Sequence, residues 1–319
     1  MNRHALPDVV PQAEFRSYYG RPILKEPAWK VPDVPLYLFL GGMAGSSATL
    51  AAVADLTGRR GLARAGHLVA AGGILASLGW LVHDLGRPAR FLNMLRVFKV
   101  TSPLSVGSWI LSAFSGFAVA TAVAPLARRV PRIAPLARTG RLTGLAAGAL
   151  GPALCTYTAV LLADTAVPAW HDAYPELPFL FAGSALSSGA GAALLIAPHE
   201  EQAPARRLAV LGAGLELAAA QRMEQRLGLV GEPYQIGRSG GLLKAAKVLT
   251  AVGAGLAALG GRSRLAARLG GVTLAAAGLC TRFGVFEAGM VSSRDPKYVV
   301  IPQRERLRAR ESAKVQPQH

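Results

Sequence analysis

Two tyrosines, one His-Asp-Leu-Gly-Arg-Pro corner and a few carboxylates inside apolar stretches are the residues of this chain best placed for chemistry. Tyr37 lies near the start of one apolar run and Tyr157 in the second half of another. A phenol in an apolar slot can donate a hydrogen bond to a ligand carbonyl, which suits a quinone headgroup. The simpler alternative is a belt tyrosine at the membrane surface. In His83-Asp84-Leu85-Gly86-Arg87-Pro88, a carboxylate beside an imidazole and a guanidinium can exchange protons or fix a polar headgroup. The same six residues also read as a structural corner, with Asp84 paired to Arg87 and Pro88 stopping a helix. Asp164 ends an apolar run and is either a proton relay to the tyrosines or a solvated helix end. Glu216, Glu224, Arg282 and Glu287 sit deeper. Ionisable groups at membrane depth are costly and so mark function by default. Paired as Glu216 or Glu224 with Arg282 they form salt bridges; in series the three glutamates offer a proton path.

Other chemistries find no support. Cys155 and Cys280 are the only cysteines, both inside apolar runs, whereas an iron–sulfur cluster takes about four thiolates. They read as small buried hydrophobes. A haem needs two histidines at matching depth on facing helices. The pairs available here, His67 with His199 and His83 with His171, mix span ends and loops, so no haem and no other metal is expected. No phosphate loop, zinc spacing or nucleophile elbow is present. The net charge of +17 raises nucleic-acid binding, but the arginines cluster at run ends without interleaved aromatics, which suits anionic lipid headgroups instead.

The elements that must position these groups are membrane helices. About half of the 319 residues are apolar, mean hydropathy is +0.33, and charge falls in short clusters between long apolar runs. About 20 apolar residues in a helix cross the hydrocarbon layer. Eight such runs are marked, at 34–55, 65–84, 103–125, 142–163, 178–198, 207–227, 242–260 and 265–288. The predicted fold is therefore an all-α integral membrane protein, a bundle of eight transmembrane helices over 34–288. Residues 1–33 and 289–319 form extramembrane segments. The sixth run is the most polar because it holds Glu216, Arg222 and Glu224; seven spans with a surface helix is the alternative. Residues 1–30 have no apolar core of a signal peptide. Gly41, Gly42 and Gly45, and Gly183, Gly189 and Gly191, let helix backbones approach closely.

An even span count puts both termini on one side, here called the terminal side. The four opposite loops (57–65, 126–141, 199–207, 261–268) hold 13 Lys and Arg in 42 residues. The three closed terminal-side loops (85–102, 164–177, 224–241) hold 6 in 50. The bias of basic loops toward the cytoplasm places the termini outside it, although the basic tail at 294–314 argues the other way.

Several stretches resemble the NrfD/PsrC family of polysulfide-reductase membrane subunits. They are Pro35-Leu36-Tyr37-Leu38-Phe39-Leu40-Gly41-Gly42-Met43-Ala44-Gly45, Asp84-Leu85-Gly86-Arg87-Pro88-Ala89-Arg90-Phe91, Thr101-Ser102-Pro103-Leu104-Ser105-Val106-Gly107-Ser108-Trp109, Tyr157-Thr158-Ala159-Val160-Leu161-Leu162 and Ser293-Arg294-Asp295-Pro296-Lys297-Tyr298. The second and third are the specific ones. The resemblance implies a multi-pass subunit of the bacterial inner membrane with no redox metal of its own. It implies partners too: a ferredoxin-like iron–sulfur subunit and a molybdopterin-type catalytic subunit. A quinone, menaquinone in type, would bind near the partner-facing side, between the first helix and the helices around the fourth. Tyr37 occupies a position where some members carry histidine, Tyr157 matches a fourth-helix tyrosine, and Asp84 and Arg87 match the family's corner, to which His83 is adjacent. Rival readings are a passive anchor without a quinone site, an ion-translocating module, and a solute transporter, for which no inverted repeat is visible.

Overall fold

A computed structural model describes residues 23–87, 89–127 and 136–315. Pro88, the centre of the basic 126–141 loop, and residues 1–22 and 316–319 lie outside the described residues. Eight long helices follow in order: α1 (Asp33–Leu56), α2 (Arg60–Leu85), α4 (Pro103–Ala127), α5 (Leu136–Ala163), α7 (Leu177–Ile196), α8 (Ala203–Arg226), α9 (Gly237–Leu259) and α10 (Arg264–Arg294). Between them lie the short α3 (Ala89–Met94) and α6 (Pro168–Asp172), and after them α11 (Lys297–Val315). No strand occurs among the described residues. In lipid a helix satisfies its own backbone polar groups, which is why apolar runs of this length adopt it. Seven of the helices, α1, α2, α4, α5, α7, α9 and α10, are long and apolar enough to cross a membrane. The chain is thus an all-α, multi-pass membrane protein.

The expected sixth span, α8, has the length but not the apolarity, and the count of eight apolar spans gives way to seven. The difference has a local cause. Its charges sit at its two ends, apart from Glu216, which is buried against the bundle. The outward face between those ends is Val210, Leu211, Gly214 and Ala218. Along its whole length α8 runs antiparallel to α7. At one end Arg226 ion-pairs with Glu176, the residue before α7, at 2.6 Å. At the other, Gln202 Nε2 donates to the carbonyls of Leu194 and Ala197 at 3.0 and 2.8 Å.

Helices α1 and α7 are the most enclosed and form the centre of the bundle. The contact of α1 with α5 is backbone on backbone: a Cβ at Gly151 would lie 2.3 Å from the Gly45 carbonyl oxygen. Hydroxyls then tie α1 to three neighbours. Ser46 Oγ donates to the Ala185 carbonyl of α7 at 2.6 Å, Ser77 Oγ of α2 to the Tyr37 carbonyl at 2.9 Å, and Thr49 Oγ1 to the Gly148 carbonyl of α5 at 2.9 Å. The last bond has a sequence cause. Pro152 lies inside α5 and has no N–H to return to the carbonyl four residues earlier, so Gly148 is left for Thr49 to satisfy.

The terminal side is closed by loops. The strap at 23–32 crosses it, held by an ion pair between Glu26 and Arg294 and by Trp29 stacked on buried Trp170, centroids 5.5 Å apart. Trp170 Nε1 in turn donates to the Val285 carbonyl at 2.8 Å. The tail expected to be extramembrane begins as an extension of α10 to Arg294 and continues as α11. Its first residues are anchored at Glu232, which takes Lys297 at 2.8 Å and the Tyr298 hydroxyl at 3.0 Å. On the opposite side Glu201 accepts the Leu62 backbone N–H at 2.8 Å, tying the α7–α8 loop to the first turn of α2.

Two outcomes are expected. Gly151→Leu should cost on the order of 1–3 kcal/mol through overpacking and lower the melting midpoint in detergent. Gly116→Leu, whose Cβ faces open space, should leave it unchanged; equal midpoints for the two would contradict this packing. At Glu232, the Lys297 and Tyr298 hydrogen bonds hold the carboxyl below its ordinary range, and Glu232 holds Lys297 above the ordinary lysine range. The carboxylate's contribution is present above its ordinary range and lost as pH falls through the lowered value; the lysine's is lost only as pH rises through the raised one. Limited proteolysis of α11 should therefore be flat across neutral pH, rise below about pH 4, and be elevated at pH 7 in Glu232→Gln.

Candidate functional site

Tyr37, Asp84 and Tyr157, drawn from α1, α2 and α5, line one cavity of about 150 Å³ on the terminal side. Tyr37 is the fifth residue of α1 and Tyr157 the seventh from the end of α5. At 1.5 Å per residue both lie roughly 6–9 Å below the helix ends, at the depth where an apolar ligand's polar head would sit. The remaining walls are apolar, with Val34, Leu81 and Leu161 from the same helices, Leu111 of α4, and Phe91 and Met94 of α3, apart from Ser108 of α4, whose hydroxyl already donates to the Ser105 carbonyl at 2.8 Å. The strap supplies a roof through Trp29. Among the described residues neither tyrosine hydroxyl has a hydrogen-bond partner, so both are available to whatever enters. Asp84 is held by one oxygen, Oδ1, which accepts the Lys30 backbone N–H at 2.9 Å.

Gly107 of α4 decides whether Tyr157 can take this position. A Cβ there would lie 1.5 Å from Cζ of the tyrosine ring, so the ring occupies the space that any other residue would fill. This gives a physical reason for a glycine before Ser108 and Trp109. The residues the sequence reading missed at this site are Gly107 in this role, Trp29, Phe91 and Met94. Gly107 and Phe91 carried a signal, each as part of a family-like stretch; Trp29 and Met94 depend on how the connections fold back.

The rest of the corner separates from the cavity. His83 follows a different helix face from Asp84: its Nδ1 meets Asp33 Oδ2 at 2.7 Å, while its side chain is 71% exposed. Arg87 is exposed, does not line the cavity, and makes no ion pair with Asp84 among the described residues. The helix ends at Gly86, whose φ of +70° is the left-handed stop that glycine adopts readily; Pro88 lies outside the described residues. Asp164 is exposed just past α5 and does not line the cavity either.

The deep charges form a second polar centre among α7, α8, α9 and α10. The Glu216 carboxylate accepts from Thr281 at 2.6 Å and from Thr250 and Ser187 at 3.3 Å. Neither expected pairing with Arg282 forms among the described residues. Glu224 is instead paired with Lys247, at 2.5 and 2.6 Å. Arg282, fully buried, donates through Nη2 to the Phe181 carbonyl at 2.9 Å and lies over the Phe181 ring at 3.7 Å. Three hydroxyls already satisfy Glu216, and a neighbouring helix supplies Lys247 to Glu224, so the guanidinium is left to α7. Glu287 is half-buried toward the terminal end of α10.

Three histidines are locally engaged, His67 Nε2 with Asp55 Oδ2 at 2.7 Å, His83 with Asp33, and His171 Nδ1 with the Ala163 carbonyl at 3.0 Å, whereas His199 Nδ1 is buried without a hydrogen-bond partner among the described residues. No cluster of three or more His, Cys, Asp or Glu with metal-binding geometry occurs among the described residues.

A family model described as "Polysulphide reductase, NrfD" matches residues 25–217. That stretch covers most of the chain and includes every helix that lines the tyrosine cavity. A search of curated proteins finds no match. The chain belongs to the NrfD family, membrane subunits of oxidoreductase complexes.

Glu216→Leu should strand the Thr250 hydroxyl, whereas Thr281 and Ser187 keep the carbonyls of Ala277 and Gly183; at roughly 1–3 kcal/mol for an unsatisfied buried group it should lower the melting midpoint. Glu216→Gln, which keeps an acceptor oxygen, should cost clearly less; a thermal melt of both in detergent checks this, and equal losses would contradict the network.

Proposed function

We propose that this NrfD-family chain is the quinone-reactive membrane subunit of a respiratory oxidoreductase complex, and that the Tyr37–Tyr157 cavity holds the quinone headgroup. The observation that carries the reading is two phenol hydroxyls with no hydrogen-bond partner among the described residues, inside a largely apolar cavity at headgroup depth. The residues present fit the ligand. A cavity of about 150 Å³ is smaller than the roughly 300–1,000 Å³ of a site for a whole drug-sized ligand. It admits a planar ring and leaves an isoprenoid tail to run between helices. When bound, the quinone supplies the electron and proton chemistry, and the protein supplies binding and orientation.

In this reading the Tyr37 and Tyr157 hydroxyls donate to the ring carbonyls and fix its plane, and Trp29 keeps bulk water out. Asp84 is the carboxylate within the cavity, so it takes the first place in proton exchange. His83, solvent-exposed and bonded to Asp33 of α1, connects that end of α2 to water. Arg87 outside the cavity and Asp164 past α5 are less direct participants. Glu216, Glu224 and Glu287 belong to another helix group; a proton path through them is the ion-translocating reading, supported only by the burial of Glu216. The passive-anchor reading calls for no enclosed pocket beside the tyrosines, and the cavity there weighs against it.

The finer assignments complete the proposal. Helix α8, antiparallel to α7 over its full length with an apolar outer face, serves as the eighth crossing. The subunit sits in the bacterial inner membrane with its termini outside the cytoplasm, as the basic loops direct. A ferredoxin-like iron–sulfur subunit docks on the terminal side, close to the cavity, and relays electrons between a molybdopterin-type catalytic subunit and menaquinone.

Titrating a fluorescent quinone-site inhibitor against the purified subunit tests this. Tyr157→Phe removes one hydrogen bond and should weaken binding about 5–10-fold. Gly107→Ala, which drives the tyrosine ring from its place, should weaken it more, and Asp164→Asn should bind as wild type. Unchanged affinity in both cavity variants would sink the assignment.

A further inference from the structure

The connection from α2 to α4 is unlike the other terminal-side loops. Residues 86–102 carry Arg87, Arg90, Arg96 and Lys99 and no acidic residue. Leu92, Val97, Phe98 and Val100 in the same stretch are 66, 68, 57 and 74% exposed. In water four such side chains on one loop would be an aggregation hazard.

The segment does not project away from the bundle. It folds back along the first two turns of α4. Lys99 N–H donates to Ser105 Oγ at 3.0 Å, Ser105 Oγ to the Val97 carbonyl at 2.9 Å, and Ser108 Oγ to the Met94 carbonyl at 3.4 Å. The Phe98 ring meets Trp109 edge-on with centroids 6.1 Å apart. Trp109 is six residues into α4, about 9 Å along its axis, and is itself 41% exposed on the helix's outer flank. Residues 94–98 therefore lie level with the membrane end of a spanning helix, on its lipid-facing side. The same connection also faces inward: Phe91 and Met94 line the tyrosine cavity.

We infer that the 89–100 segment is set into the headgroup zone of an anionic lipid leaflet, where it forms the bilayer-side wall of the tyrosine cavity. Leu92, Val97, Phe98 and Val100 enter the acyl boundary, and Arg90, Arg96 and Lys99 meet lipid phosphates, the arrangement by which basic amphipathic segments bind such surfaces. Lipid fits better than a protein partner because of depth. A partner docking beyond the helix ends would not reach a ring packed beside Trp109, and lipid surrounds that flank of α4. The cavity then opens toward the hydrocarbon past a segment seated in lipid rather than through the roof made by Trp29. This placement rests on the segment's own contacts and holds whatever ligand the cavity takes.

The test is limited trypsin digestion of the full wild-type chain in vesicles of phosphatidylcholine alone and with phosphatidylglycerol. Cleavage at Arg96 and Lys99 should be slowed at least several-fold by phosphatidylglycerol; equal rates in the two vesicles would overturn the inference. A second measurement uses a spin label at Phe98→Cys in a Cys155→Ala, Cys280→Ser background that elutes as the folded protein. In phosphatidylglycerol vesicles the label should be open to oxygen and shielded from a water-soluble nickel chelate. Adding Arg96→Gln and Lys99→Gln should raise chelate access in those vesicles only. A label open to the chelate in the subunit alone, and shielded only after the partner subunits are added, would make this a protein-docking surface and overturn the lipid assignment. Inhibitor affinity measured on the same samples separates this result from that for the cavity.

Discussion

Backbone contact between α1 and α5 at Gly45 and Gly151 is the constraint on which much of the arrangement depends. In a bilayer, helices gain little from burying apolar surface against one another, so close approach and hydrogen bonds must hold them. The contact sets the spacing of the helices that carry Tyr37 and Tyr157, so the two phenols share a cavity instead of facing separate lipid. Thr49 reinforces it by bonding the carbonyl that Pro152 leaves free. Ser46 and Ser77 extend the same logic to α7 and α2. A hydroxyl that bonds across to another helix's carbonyl joins two helices at a depth where water offers no competing partner.

The two polar centres of the protein are built differently, and the difference bears on what each can do. At the tyrosine cavity the polar groups are underused: two hydroxyls without partners among the described residues and a carboxylate held by one oxygen. Around Glu216 the groups are satisfied by one another, with three hydroxyls on one carboxylate. A site that must receive a ligand keeps hydrogen-bonding capacity in reserve, whereas a buried charge that must be tolerated uses it up. Arg282 fits neither pattern fully: Nη2 donates to the Phe181 carbonyl and the guanidinium lies on the Phe181 ring, while buried Nε and Nη1 have no hydrogen-bond partner among the described residues.

The roof and part of the wall of the cavity are made by segments that are not spanning helices. The strap at 23–32 contributes Trp29 and the Lys30 N–H that holds Asp84, and α3 contributes Phe91 and Met94. The strap is itself anchored to the far end of the chain through Glu26 and Arg294. The roof of the cavity and the end of α10 are thus mechanically joined on the side where partner subunits are proposed to dock.

Hydropathy alone determined the class of protein and the position of nearly every long helix, because an apolar run of about 20 residues has few alternatives in a membrane. The motifs around Tyr37, Asp84, Gly107 and Tyr157 marked the family and named three of the polar groups that meet in the cavity. Local sequence could not show which neighbour each charge would choose. Asp84 turned from Arg87 to the Lys30 N–H, His83 took Asp33, Glu224 took Lys247, and Arg282 took a carbonyl and a ring. These choices depend on helix rotation and on groups 23 to 101 residues away in sequence, which only the packed bundle fixes. At α8 the expected eighth apolar span was not found: the helix carries charges at both ends besides Glu216, and only packing decided that Glu216 turns inward. Composition decided the solvent of this chain, and packing decided which of its costly groups stay free to act.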